Sequence, residues 1–94
     1  MKFAYIIMGP FDSKKDRKAI GKNENAEIIG VKDVNEAEDV VRDLEGKVDV
    51  IELCGAFGKD GAKRVINATN GNVPVGYVVH LKVQDRLFEK LFGS

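Results

Sequence analysis

Four short apolar runs, separated by segments with a helical pattern, are the feature that most constrains the fold of this chain. The runs are KFAYIIMG over 2–9, AEIIGV over 26–31, VDVIELCG over 48–55 and PVGYVVHL over 74–81. All are rich in Val, Ile or Tyr, and three are nearly continuously apolar, which is typical of strands covered on both faces. Alternation of such strands with helices predicts an α/β domain with a mainly parallel sheet.

Three segments repeat apolar residues at spacings of three and four, which predicts helices. They cover residues 34–44, 62–69 and 83–92, and the last has the most apolar face. Asn35 and Glu38 have the spacing of a capping box at the start of the first of these helices.

The segment between the first two runs, DSKKDRKAIGKNEN over 12–25, is much more polar. It carries five basic residues and offers only Ala19 and Ile20 as apolar anchors. Its length suffices for a crossover between parallel strands. We expect a short, weakly packed helix or an ordered loop that faces solvent, as charge runs usually do, and a mobile lid is the functional alternative.

These elements predict one α/β domain over residues 1–94. Right-handed crossovers would arrange it as a small three-layer sandwich. The expected core is a mainly parallel four-stranded sheet, with the flavodoxin-like strand order 2-1-3-4 favoured.

Composition limits the classes of partner. Fifteen basic residues balance fifteen acidic ones, so there is no electrostatic case for nucleic acid. No apolar run approaches the length of a membrane span, and the first ten residues are too short for a signal peptide. The single cysteine excludes an internal disulfide, so we expect a cytoplasmic protein. A chain this small buries only about 60–65% of its unfolded surface, so we also expect a homo-oligomer, most simply a dimer.

Ligands of open parallel sheets bind beyond the carboxyl ends of the strands, where the winding reverses. In the predicted order the first and third strands flank that point. The residues expected to bind a small molecule on this rim are Gly9, Pro10, Phe11, Asp12, Gly55, Ala56, Phe57, Gly58 and His80.

The glycines of this rim also admit a purely structural explanation. Glycines at 55, 58 and 61 would let backbone N–H groups approach an anion. Their spacing matches neither the GxGxxG dinucleotide fingerprint nor the phosphate-loop pattern. A tight turn from strand to helix is the alternative.

Three residues are candidates for catalysis. Cys54 is either a nucleophile near a helix N-terminus or a small buried hydrophobe. His80, the only histidine, is either its base or a strand-end residue that caps the next helix. Glu52 interrupts an apolar run and would need a partner if buried. One His and one Cys leave too few ligands for a zinc site, and no cofactor is indicated.

The stretches KFAYIIMGPFD, VDVIELCGAFG and VPVGYVVH together resemble a small prokaryotic α/β family that is catalogued only as a domain of unknown function. The resemblance covers nearly the whole chain. It implies a stand-alone cytosolic domain without an established activity, and it assigns no catalytic residue.

Three functions therefore stay open. The favoured one is a binding module that holds a small polar metabolite, in which Phe11 and Phe57 form apolar walls. The second is an enzyme that uses Cys54 and His80. The third is a self-assembling subunit, in which the last helix and an exposed sheet edge pack against a second copy.

Overall fold

The computed structural model describes residues 1–93, which form one mixed sheet of five strands and three helices. The strands are β1 (Phe3–Met8), β2 (Arg17–Ile20), β3 (Ala26–Val31), β4 (Val50–Leu53) and β5 (Val75–Tyr77). The helices are α1 (Val34–Leu44), α2 (Gly58–Ala68) and α3 (Asp85–Phe92). The predicted α/β class with a mostly parallel sheet is confirmed.

The order of the strands across the sheet is β2-β3-β1-β4-β5. The four predicted strands are β1, β3, β4 and β5, and their relative positions are those of the predicted order 2-1-3-4. Every pairing among these four strands is parallel. Their carboxyl ends therefore lie along one edge of the sheet.

The fifth strand, β2, corrects the prediction for residues 12–25. It pairs antiparallel with β3, so this segment contains an edge strand rather than a helix, loop or lid, and the predicted count of four strands is wrong. The Arg17 guanidinium makes two hydrogen bonds of 2.9 Å to the Glu27 carboxylate across this pair. Four residues with two cations show too little periodicity to indicate a strand, although charges are typical of sheet edges.

The core lies on one face of the sheet, beneath α1 and α2, which pack against each other. Parallel register puts Ala4 and Ile6 of β1 beside residues of the same face in β3 and β4. The buried apolar side chains of these strands and helices are Ala4, Ile6, Ile29, Val31, Ile51, Leu53, Ala37, Val40, Val41, Leu44, Ala62 and Val65.

The other face of the sheet has no helix over it, so the predicted three-layer sandwich is wrong. Helix α3 has no buried residue and does not form a third layer. Its main contacts are with the short 3-10 turn that precedes it, at Lys82–Gln84. The described chain is therefore two layers with a projecting C-terminal segment.

Helix α1 begins at a cap two residues earlier in sequence than the predicted box. The Asp33 side chain accepts a hydrogen bond of 2.8 Å from the Glu36 backbone N–H. The Glu36 carboxylate in turn accepts one of 2.8 Å from the N–H of Lys32. These reciprocal bonds satisfy N–H groups that the first turn of a helix leaves free.

Asn35 and Glu38, the residues of the predicted box, instead bind Arg64 of α2. The Arg64 guanidinium donates to both Glu38 carboxylate oxygens, at 2.9 and 3.1 Å, and to the Asn35 side chain. These charge-assisted bonds lower the pKa of Glu38 and raise that of Arg64. The contact joins the two helices on their solvent side.

Candidate functional site

The predicted rim is formed where β1 and β4 end next to each other. The Cys54 backbone N–H donates to the Ile6 carbonyl at 3.0 Å. The Met8 N–H lies 3.3 Å from the Cys54 sulfur, which is a weak acceptor. The half-buried Cys54 side chain also packs against the core. Cys54 therefore links β1 and β4, the two strands between which the direction of winding of the sheet reverses.

Phe11 lies over two glycines of the rim. Gly9 and Gly30 have no side chains, and a Cβ atom placed on Gly30 would lie 2.7 Å from the Phe11 Cβ. The Phe11 N–H donates to the Gly9 carbonyl at 2.7 Å, which closes a tight turn around the exposed Pro10. The Phe11 ring thus covers the end of β3.

Asp12 is engaged in the turn that leads to β2. Its carboxylate accepts from the Lys14 N–H at 2.9 Å, and its own N–H donates to the Asp16 carboxylate at 2.8 Å. The Asp12 carbonyl accepts from the N–H groups of Lys15 and Asp16. These bonds make Asp12 a turn-forming residue in this structure.

The stretch Glu52–Gly58 connects β4 to α2 through a 3-10 turn, Gly55–Phe57. A Cβ atom on Gly55 would lie only 3.3 Å from the Val78 carbonyl oxygen, and Gly58 has φ +62, a conformation that favours glycine. Ala56 is exposed, whereas Phe57 is buried in the core. The glycines meet the demands of a tight turn, and Phe57 does not line the surface of the rim.

His80 belongs to the segment that follows β5. Its Nε2 lies 2.8 Å from an Asp85 carboxylate oxygen, and its ring stacks on Phe88 with centroids 3.9 Å apart. No hydrogen bond joins His80 to Cys54 among residues 1–93. The pair that a cysteine nucleophile would need is not assembled in this conformation.

Glu52 lies on the uncovered face of the sheet. Register places it beside Tyr5 of β1 and Gly76 of β5. A Cβ atom on Gly76 would come within 2.6 Å of a Glu52 carboxylate oxygen, so the Glu52 side chain lies directly over this glycine. Within the described part of the chain, Glu52 has no ion-pair partner.

Two grooves of the structure lie away from the rim. One, of about 710 Å³, is at the amino ends of the strands near Lys2, Arg42 and Lys47. The other, of about 500 Å³, runs between α1 and α2 beside Arg64. Both are lined by mixed charges, and neither includes a residue of the predicted rim. In residues 1–93 no group of three or more His, Cys, Asp or Glu side chains could hold a metal ion.

The uncovered face of the sheet, hereafter the open face, is largely apolar. Alternation along β1 directs Phe3, Tyr5 and Ile7 to this face, where they are half-buried. Parallel and antiparallel register adds side chains from the neighbouring strands. These further members are Lys18, Ile20, Ala26, Ile28, Gly30, Val50, Glu52 and Gly76, and Phe11 lies over Gly30 at the carboxyl end of this face.

The segment 78–93, hereafter the C-terminal arm, exposes a second apolar surface. Leu91 is 77% exposed and Leu87 is 60% exposed. Its other exposed large apolar residues are Val78, Val79, Leu81, Val83, Phe88 and Phe92. The periodicity of the sequence predicted helix α3 of this arm. It carried no information on whether the apolar face of α3 contacts the sheet.

The chain belongs to the family of unknown function DUF6506, whose model matches residues 1–93. The resemblance to a family without an assigned function is thereby confirmed, and a prokaryotic origin stays a prediction. Neither the curated proteins nor the solved structures contain a match. None of the helices described in residues 1–93 combines the length and the apolar character needed to cross a membrane.

Proposed function

We propose that this protein is a self-associating subunit that works as a homodimer. The observation that carries the proposal is that β1 is apolar on both faces while α1 and α2 cover only one. All-parallel sheets occur almost only with both faces covered, and their strands are accordingly apolar on both sides. Four of the five strands here pair in parallel. The alternation of Phe3, Tyr5 and Ile7 with Ala4 and Ile6 therefore favours a second cover from outside this chain.

The accessible surface supports the same proposal. It is 6573 Å² for this chain, whereas a folded monomer of 10.3 kDa is expected to expose about 5,350 Å². The excess of about 1,200 Å² exceeds the roughly 800 Å² that each partner contributes to a standard interface. The radius of gyration, 13.6 Å against an expected value of about 12.4 Å, agrees with a projecting arm.

Substitution of Leu91 by Ser tests this proposal. Leu91 is 77% exposed, so its removal should leave the fold of one chain unchanged. A buried Leu contributes about 1.5 kcal/mol or more, and a symmetric dimer loses this twice, so we expect dimerisation to weaken by about 100-fold or more. Sedimentation equilibrium measures the change.

The matched control is Arg86→Ser, which introduces the same residue on the side of α3 opposite to Leu91. We expect Arg86→Ser to dimerise as the unaltered protein does. Equal association of all three proteins would overturn the proposal that the arm contributes to the interface, and a monomeric unaltered protein would overturn self-association itself.

Binding of a small polar molecule at the rim is a second candidate function. It is supported by the adjacency of the β1 and β4 ends, which the Met8–Cys54 contact holds where the strand order diverges. Such a ligand would add mass to the native protein and be lost on denaturation. The proposal includes a cytoplasmic location, supported by the single unpaired thiol.

A further inference from the structure

We infer that the C-terminal arm of each copy lies on the open face of the other copy, an inference that rests on the proposed self-association. Both surfaces are apolar, and the main contacts of α3 in the described chain are with its own 3-10 turn. A two-fold arrangement makes the exchange reciprocal, so that each chain gives an arm and receives one. The partner recognised by the open face is thus a second copy of this chain.

Among the arrangements that two copies could adopt, reciprocal exchange covers most of the exposed apolar surface. Two arms packed together would leave both open faces exposed. Two open faces packed together would leave Leu87 and Leu91 exposed on both arms. Pairing through the free edges of β2 or β5 would cover neither surface. Since burial of apolar area is the dominant force in association, exchange is favoured.

The dimensions of the two surfaces match. Helix α3 has eight residues and is about 12 Å long. The five strands of the sheet extend about 19 Å from the first to the last strand axis. The helix can therefore lie wholly on the open face, and the extended residues that precede it can contact the remaining width.

The connection between β5 and α3 favours a partner over the arm's own sheet. After the Val78 N–H bonds the Leu53 carbonyl at 3.0 Å, the chain leaves the sheet and no residue from 80 to 93 is buried. The His80–Asp85 hydrogen bond and the His80–Phe88 stack lie within this segment and hold it together as a unit. The arm in this conformation presents Leu87 and Leu91 to another molecule.

The charges are compatible with this arrangement. Glu52 is the acid at the middle of the open face and has no ion-pair partner within residues 1–93. Apart from Arg86, which lies on the side of α3 opposite to Leu91, the arm carries two cations, Lys82 and Lys90. A carboxylate that becomes buried needs such a partner, and an arriving arm supplies it.

Crosslinking between two differently labelled copies tests the inference. Cys54→Ser removes the native thiol, and one preparation then carries Ile28→Cys on the open face while the other carries Leu91→Cys on the arm. One preparation is labelled with heavy nitrogen, and the two are mixed until subunits exchange. After treatment with a short bis-maleimide, we expect the mixed-mass dimer to exceed either equal-mass dimer several-fold.

The control replaces Ile28→Cys by Lys63→Cys, which lies exposed on the outer side of α2 and should give no mixed-mass product. Predominance of Leu91→Cys pairs would overturn the inference in favour of arm-to-arm packing. A chain that carries both cysteines and crosslinks only within itself would overturn it in favour of an arm on its own sheet. Sedimentation of the Cys54→Ser parent, run in parallel, separates these results from a failure to self-associate.

Discussion

At the scale of single residues, glycine determines where side chains can lie across this sheet. Gly30 of β3 allows Phe11 to lie over the strand, and Gly76 of β5 allows the Glu52 carboxylate to do the same. The contacts differ in kind. Beside Gly30 the nearest atom is the Phe11 Cβ, close to the backbone, whereas beside Gly76 it is the far end of a flexible acid.

We therefore expect Gly30→Ala to destabilise the protein more than Gly76→Ala does. The Phe11 Cβ, 2.7 Å from the added methyl group, can move only with its backbone, so Gly30→Ala should cost about 1–3 kcal/mol. The Glu52 carboxylate can rotate away, so Gly76→Ala should cost less than about 1 kcal/mol. Urea unfolding measures both free energies.

Truncation of Phe11 provides the control for this pair. In a Phe11→Gly background the Cβ and ring atoms that crowd Gly30 are gone, so Gly30→Ala should cost clearly less than in the unaltered protein, a non-additivity that residues in contact show. A larger cost for Gly76→Ala than for Gly30→Ala would contradict this explanation of the two glycines.

At the scale of elements, β2 depends on one ion pair more than on apolar burial. None of its four residues is fully buried, and the Arg17–Glu27 pair joins it to β3. The hydrogen bond from Arg17 lowers the pKa of Glu27 below its ordinary value of 4.5. The contribution of this pair is therefore complete above that value and is lost as the pH falls through the depressed pKa.

Replacement of Arg17 by Met tests the role of this pair. Because both side chains are about one-third exposed, solvent screens the interaction, and we expect a loss of less than about 1 kcal/mol near neutral pH. The difference from the unaltered protein should shrink as the pH falls below 4.5 and through the depressed pKa of Glu27, because the carboxylate is then protonated in both states. Urea midpoints across this pH range measure it.

Arg42→Met is the matched control, because it removes the more exposed Arg42–Asp39 pair within one helix. Hydrogen exchange at the β2 amides should quicken in Arg17→Met and stay unchanged in Arg42→Met. A difference between Arg17→Met and the unaltered protein that grows at low pH would contradict the assigned sign.

The elements differ in how far the sequence predicts them. Continuous apolar runs indicated β1, β3, β4 and β5, because burial selects such runs, whereas their order was favoured by the flavodoxin-like arrangement. The strand β2 was missed because an edge strand needs few apolar residues and can carry Arg17 and Lys18. Its pairing depends on Glu27, ten residues away from Arg17, and local periodicity does not contain that contact.

The rim was predicted in position but not in the roles of its residues. Topology places Gly9 and Gly55 at one edge, and the structure agrees. The orientation of Phe57 into the core, and the pairing of His80 with Asp85 rather than with Cys54, depend on the three-dimensional course of short turns. Residue type alone could not determine these contacts.

At the scale of the whole molecule, the central question is what covers the open face. The chain has two apolar surfaces that it does not bury itself, on the open face and the C-terminal arm, and a surface area larger than its mass predicts. A small domain gains stability from association because one chain has little interior. The two layers described for one chain would become three layers in a dimer.

The most direct test is the native mass of the freshly purified, unaltered protein. We expect a species of twice the 10.3 kDa chain mass, and any further mass that disappears on denaturation would indicate a retained ligand. A species of one chain mass at every concentration up to the highest attainable would contradict the account, because the open face and the arm would then remain uncovered in solution.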